Sequence, residues 1–223
     1  MRWLALILCA TPALACEDPI CEVPEGSLRF TRRVDFSDLP SSYGIGRNLD
    51  GLVVGDGVQF GEHFLGQGVE ISTGHDRLSG RPTAPLTLVA GAAGANLGTL
   101  NLWGDNIVQG MGPKGFPDAG AVGEGAIAVL FDEDQPALAL DVRGGEGGTV
   151  TFSFYRRDGA PILRMVRHVD RDTGTIHVVR QGLVPDIAGF SVENQDPEGL
   201  GIDNLQFLFE ELMGRLGSAR TRG

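Results

Sequence analysis

The chemistry this sequence could carry rests on a few residues. Leu-Trp-Gly-Asp-Asn at 102–106 sets an aromatic ring beside a carboxylate and an amide. Trp103 offers an apolar face on which a sugar ring can stack, and Asp105 and Asn106 offer partners for sugar hydroxyls. The same tryptophan could instead close a strand end, half-buried. Asn194-Gln195-Asp196 is a second polar loop able to meet a ligand. The histidines are His63, His75, His168 and His177. None forms a His-x-His or His-Glu-x-x-His pair, so the zinc signatures are missing. His75-Asp76 has the makings of half a base–orienter pair, but its Gly-rich setting reads as a surface turn. His177 is expected to face Asp170 across a hairpin as an ion pair. There is no Gly-x-Ser-x-Gly nucleophile elbow. Nor is there a Glu-x-Asp-x-x-Glu run that would set paired carboxylates along one strand.

Two of the three cysteines, Cys16 and Cys21, lie beyond a hydrophobic leader. Arg2 supplies a positive start, residues 4–10 an apolar stretch too short to span a bilayer, and Ala13-Leu14-Ala15 a small-x-small cleavage pattern. Residues 1–15 therefore read as a signal peptide, and the mature chain as secreted or periplasmic. In an oxidising compartment Cys16 and Cys21 are expected to close a small disulfide in an N-terminal segment, 16–27. The alternative is a lipoprotein anchored at Cys16, although Ala13 stands where a lipobox prefers Leu. The formal net charge of −11 gives no drive toward nucleic acid or anionic lipid. No other segment is apolar and long enough to cross a membrane.

The elements that must position these residues are strands. Thirty-four glycines and period-two apolar runs bounded by Gly, Asp and Pro predict many short strands and tight turns. Leu28, Phe30, Val34 and Phe36 share one face of a first strand. Gly55-Asp56-Gly57 turns between two others. Residues 125–131 are apolar on both faces, as a central strand would be. Val150, Phe152 and Phe154 alternate with polar neighbours before the Arg157-Asp158-Gly159 turn. Residues 64–71 make a weaker strand, and residues 73–124 read as Gly-rich and irregular, with strands only at 86–89 and 97–103 and long loops around them. Asp132-Glu133-Asp134 reads as an acidic corner, and Asp170-x-Asp172-x-Gly174 as a hairpin turn with a faint look of a calcium loop. The whole predicts an all-β fold: an antiparallel two-sheet β-sandwich over 28–209, with a short helical tail at 209–216 and a basic end over 210–223.

Three pieces carry a resemblance: Val-Asp-Phe-Ser-Asp-Leu-Pro (34–40), Val-Thr-Phe-Ser-Phe-Tyr-Arg-Arg-Asp-Gly (150–159) and Gly-Ile-Asp-Asn-Leu-Gln-Phe (201–207). The set resembles exported bacterial jelly-roll domains, both those of PEP-CTERM-type surface proteins and the calcium-containing carbohydrate-binding modules of extracellular glycosidases. No PEP-CTERM sorting tail follows Phe207. The resemblance implies a jelly roll, and a structural calcium ion held by an acid of the last strand, here Asp203. Strand parity sets Asp203 on the face of Leu205 and Phe207, and Asp38 on the face of Val34 and Phe36. If the first and last strands are neighbours, Asp38 and Asp203 could share one cation within an oxygen shell. Otherwise each caps a turn or pairs with an arginine.

The expected role is an exported non-enzymatic binding or structural module whose partner is a polysaccharide, stabilised by calcium. A carbohydrate-active hydrolase or lyase using acids of residues 73–134 is the first alternative. A protein-interaction domain of the cell envelope is the second.

Overall fold

The computed structural model describes residues 18–170 and 174–209. Its strands run in chain order as β1 (Ile20–Glu22), β2 (Phe30–Val34), β3 (Arg47–Leu49), β4 (Val53–Gly55), β5 (Val58–Gly61), β6 (His63–Phe64), β7 (Gln67–Ser72), β8 (His75–Gly80), β9 (Leu88–Val89) and β10 (Leu97–Leu102). There follow β11 (Asp105–Met111), β12 (Val122–Gly125), β13 (Ile127–Gln135), β14 (Ala137–Gly144), β15 (Thr149–Tyr155), β16 (Pro161–His168), β17 (Thr175–Arg180), β18 (Ile187–Asn194) and β19 (Leu200–Phe209). Two 3-10 turns complete the described chain, and no α-helix occurs in it. Among the described residues no helix is long and apolar enough to cross a membrane.

The strands form two large antiparallel sheets. One runs β1-β17-β14-β19-β11-β10-β3, with β12 added to β11 and β2 added to β19. The other runs β16-β15-β18-β13-β5-β4. As the apolar run predicted, β13 is central, paired with β18 on one side and β5 on the other. Between the sheets lies a core that includes Phe60, Phe131, Phe152, Phe154, Phe190 and Phe207. Phe131 of one sheet meets Phe207 of the other with ring centroids 5.1 Å apart. This burial of large aromatic faces is the main force holding the layers together.

Two further hairpins lie outside this frame. β6 pairs with β9, and β7 with β8. Phe64, Leu86, Leu88 and Tyr155 form a smaller apolar cluster there, with Phe64 edge-on to Tyr155 at 5.5 Å.

Several expectations change. Within residues 73–124 the strands expected at 86–89 and 97–103 are present as β9 and β10, and β8, β11 and β12 add strands that were not expected there. Asp132-Glu133-Asp134 is no corner but part of β13, where Asp134 accepts two hydrogen bonds from Arg157 at 2.9 and 2.6 Å. Phe209 ends a strand, and the rest of the expected 209–216 helix lies outside the described residues. So do the 1–15 leader, Cys16 with its pairing or lipid anchor, Asp172, and the basic end.

Candidate functional site

The sheet of nine strands forks at one point. The first part of β19 pairs with β11, through Val108 opposite Ile202. Its second part pairs with β2, from Leu205 opposite Val34 to Phe209 opposite Phe30. Where the neighbour changes, β19 carries a bulge. Its register against β14 shifts between Asp203 and Gln206, and Asn204 takes a φ of 51°. The extra residue resets the alternation. Ile202 faces the core beside Val108 and Val142, and Leu205 and Phe207 face it again after the bulge. Asp203 therefore points to the outer face, beside Asp141 and Arg143, and not to the core face that simple parity predicted.

At the fork three carboxylates gather around one guanidinium. Arg143 Nη2 lies 3.3 Å from Asp141, 3.6 Å from Asp105 and 3.8 Å from Asp203. Asn204 donates its backbone N–H to Asp203 at 2.6 Å and its side-chain amide to Asp141 at 2.7 Å. Thr175 adds a hydroxyl donor to Asp141 at 2.6 Å, and Arg33 Nε donates to the Asn204 side-chain Oδ1 at 2.9 Å. Burial pushes the Asp203 carboxyl up to about 6, with Asp141 and Asp105 adding to the rise and the Asn204 amide and Arg143 opposing it. A polar cleft of about 360 Å³ opens over this cluster, lined by Arg33, Asp105, Asn106, Arg143 and Asp203.

Asp38 is not part of it. β2 stops at Val34, Phe36 adopts a φ of 55°, and the Leu39 amide closes a turn onto the Phe36 carbonyl at 3.0 Å. Asp38 is exposed in that turn and lines a separate cleft with Phe36 and Val53. Among the described residues no group of three or more His, Cys, Asp and Glu side chains could hold a metal ion.

Trp103 stands at the tip of the β10–β11 hairpin and is 79% exposed, so it is not a half-buried strand end. Trp103 and Gly104 have φ of 54° and 104°, which is the two-residue turn that matches strand twist. The hairpin keeps one register from Leu97–Gly110 to Leu102–Asp105. The Asn101 side chain accepts the Gly104 amide at 3.1 Å, and the Asn101 amide donates to Ser42 at 3.0 Å. The next residue, Tyr43, is 76% exposed. A second cleft, of about 350 Å³, lies against Trp103, with Leu100, Leu102, Ile107 and Leu200 among its apolar walls and Arg143 on its border. Gly201 keeps this floor thin, because a Cβ there would come within 2.8 Å of the Ile107 side chain.

Two polar residues marked in the sequence are committed to the fold. The Asn106 side chain donates to the carbonyls of Phe36 and Leu39 at 3.3 and 3.0 Å and accepts from Ser41 and Asn101. It fixes the loop after β2. Asp196 is fully buried and accepts the backbone amides of Glu146, Gly147, Gly148 and Glu198 at 2.8–3.1 Å. Burial alone would raise its carboxyl, but these amides outweigh that and hold it below the usual range.

The histidines also differ from expectation. The β7–β8 hairpin folds down over the outer face of the six-stranded sheet, with the Leu78 amide donating to Glu193 at 2.9 Å. His75 is thereby mostly enclosed, its Nε2 3.0 Å from the Asp196 carbonyl and against the Glu124 carboxylate. Asp76 is 6% exposed and accepts the Ala126 amide at 3.3 Å. Burial, with Glu62 nearby, pushes its carboxyl up to about 7. Neither residue lies in a surface turn. His177 is buried, with no hydrogen-bond partner for either ring nitrogen among the described residues, and Asp170 meets His168 instead at 3.3 Å. The sequence concealed this pocket because its parts come from segments far apart.

Comparison with known proteins finds no matching family, no matching curated protein and no matching solved structure.

Proposed function

We propose that this chain is an exported, non-enzymatic β-sandwich module of jelly-roll type that binds glycan on the outer face of its larger sheet. The observation that carries the reading is Trp103: a fully presented aromatic ring at the tip of a pinned hairpin, with an apolar cleft and a polar cleft on either side of Arg143. Ring stacking on Trp103 supplies affinity, while Arg143 and Asp105 meet hydroxyls. An aromatic ring on a pinned hairpin binds at low entropic cost. The jelly-roll assignment is supported by the second half of the chain, where β13 to β19 pass repeatedly from one sheet to the other. Export, to the periplasm or the medium, rests on the leader pattern of residues 1–15. A structural calcium ion has weaker support, because Arg143 already stands among Asp105, Asp141 and Asp203. Retention of the protein in gels containing soluble polysaccharides, without release of reducing ends, tests this function.

One observation favours a hydrolase as the second reading. Asp76, with its raised carboxyl, lines a cleft together with His75 and Glu193. A protonated acid beside a carboxylate is what glycosidic cleavage needs. Release of reducing ends by the wild type, lost in Asp76→Asn, would replace the binding reading with this one.

A further inference from the structure

The outer face of the six-stranded sheet carries a cleft of about 230 Å³ beneath the β7–β8 hairpin. Thr149 and Thr151 of β15 and Arg164 and Val166 of β16 lie on its sheet side, and Arg77 of β8 on its hairpin side. Among the described residues half of the guanidiniums are matched to a carboxylate: Arg32 to Asp56, Arg143 to Asp141, Arg156 and Arg180 to Asp186, Arg157 to Asp134, Arg167 to Glu22. Arg77 and Arg164 are not. Among the described residues neither has a carboxylate oxygen within 4.0 Å, and Arg164 reaches only the Thr151 hydroxyl at 3.4 Å. The acids that share the cleft are otherwise engaged. Glu193 holds the Leu78 amide, and Asp76 is buried against the Ala126 amide. Two unmatched guanidiniums on one cleft of a chain with net charge −11 favour a bound oxyanion. The volume suits one sugar residue and falls short of drug-sized pockets.

We propose that this cleft is a second binding site, which takes the carboxylate of a uronic acid residue between Arg77 and Arg164. Thr149 and Thr151 meet the ring hydroxyls, and Val166, 46% exposed, meets the apolar side of the ring. The site lies on the sheet opposite Trp103, so it does not depend on the Trp103 face.

Isothermal titration of the protein with trigalacturonate, cellotriose and inorganic sulfate at low salt tests the proposal. Binding of trigalacturonate over cellotriose is expected. Arg77→Ala and Arg164→Ala should each weaken it about tenfold, which is the loss of one charge-assisted contact. Arg164→Lys, which keeps charge but loses the paired donors, should weaken it less. Arg29→Ala, an exposed arginine elsewhere, should leave it unchanged. Thermal melts of each variant establish that the fold is kept. Wild-type affinity in a folded Arg77→Ala/Arg164→Ala double variant would overturn the proposal. So would failure of trigalacturonate to bind the wild type, or tighter binding of sulfate alone. Because cellotriose retention reports on the Trp103 face, failure of either site is read separately.

Discussion

The two outer faces of this sandwich use the same device in opposite ways. On the larger sheet the β10–β11 hairpin projects, and its tip residue Trp103 is presented to solvent. On the smaller sheet the β7–β8 hairpin is folded down and held by Glu193, Asp196, Glu124 and Ala126. The first hairpin leaves an apolar ring without a partner, and the second encloses titratable groups that apolar burial disfavours. A presented ring contributes little to stability and can serve binding, whereas enclosed acids tie stability to pH.

The comparison can be broken most severely at Asp196, which joins the folded-down side to the Gly-rich loop 145–148. Asp196→Ala would take away the buried acceptor shared by four backbone amides. It should lose about 3–5 kcal/mol in urea unfolding. Since its carboxyl is held below the ordinary range, this stabilisation is present above the unfolded value and is lost as pH falls through the lower folded one.

Asp76 has the opposite sign. At low pH folded and unfolded chains both carry its proton. As pH climbs from about 4 toward about 7, only the unfolded chain sheds it, so the native state loses stability. Asp76→Asn should flatten this decline by an amount on the order of 2 kcal/mol between pH 5 and pH 8, read from paired unfolding curves. An unchanged slope would show that Glu62 and Glu124, also raised by burial, dominate.

On the presented side, Arg143→Met would strand Asp105, Asp141 and Asp203. A loss of about 1 kcal/mol is expected at pH 8, shrinking near pH 5, where Asp203 with its carboxyl at about 6 takes up a proton. A loss that is equal at both pH values would mean that Arg143 acts by packing alone.

Much of this frame was legible in the sequence. The strands after residue 125 show because their core residues alternate and their turns carry Gly, as at Arg157-Asp158-Gly159. Of the β7–β8 hairpin only the first strand showed, as a weaker candidate over 64–71. Its residues, from Gln67 to Gly80, carry no regular apolar face, because it rests on the sheet through hydrogen bonds. Parity failed at Asp203 for one reason, the left-handed Asn204, which no pattern of apolar residues betrays. Asn106 and Asp196 looked like ligand contacts since their true partners are backbone groups distant in the chain, such as Glu146, 50 residues from Asp196. Trp103 was found by residue type alone, but its exposure needed the turn geometry.

The smallest expected change in stability is at Trp103, and there the central claim stands most open to test. Trp103→Ala should melt within about 0.5 kcal/mol of the wild type, as an exposed surface substitution does. In affinity gels containing neutral polysaccharides the wild type should be retarded by at least one of them, and Trp103→Ala should lose most of that retardation. Equal retardation of the two proteins, or none of the wild type with any polysaccharide, would contradict the account.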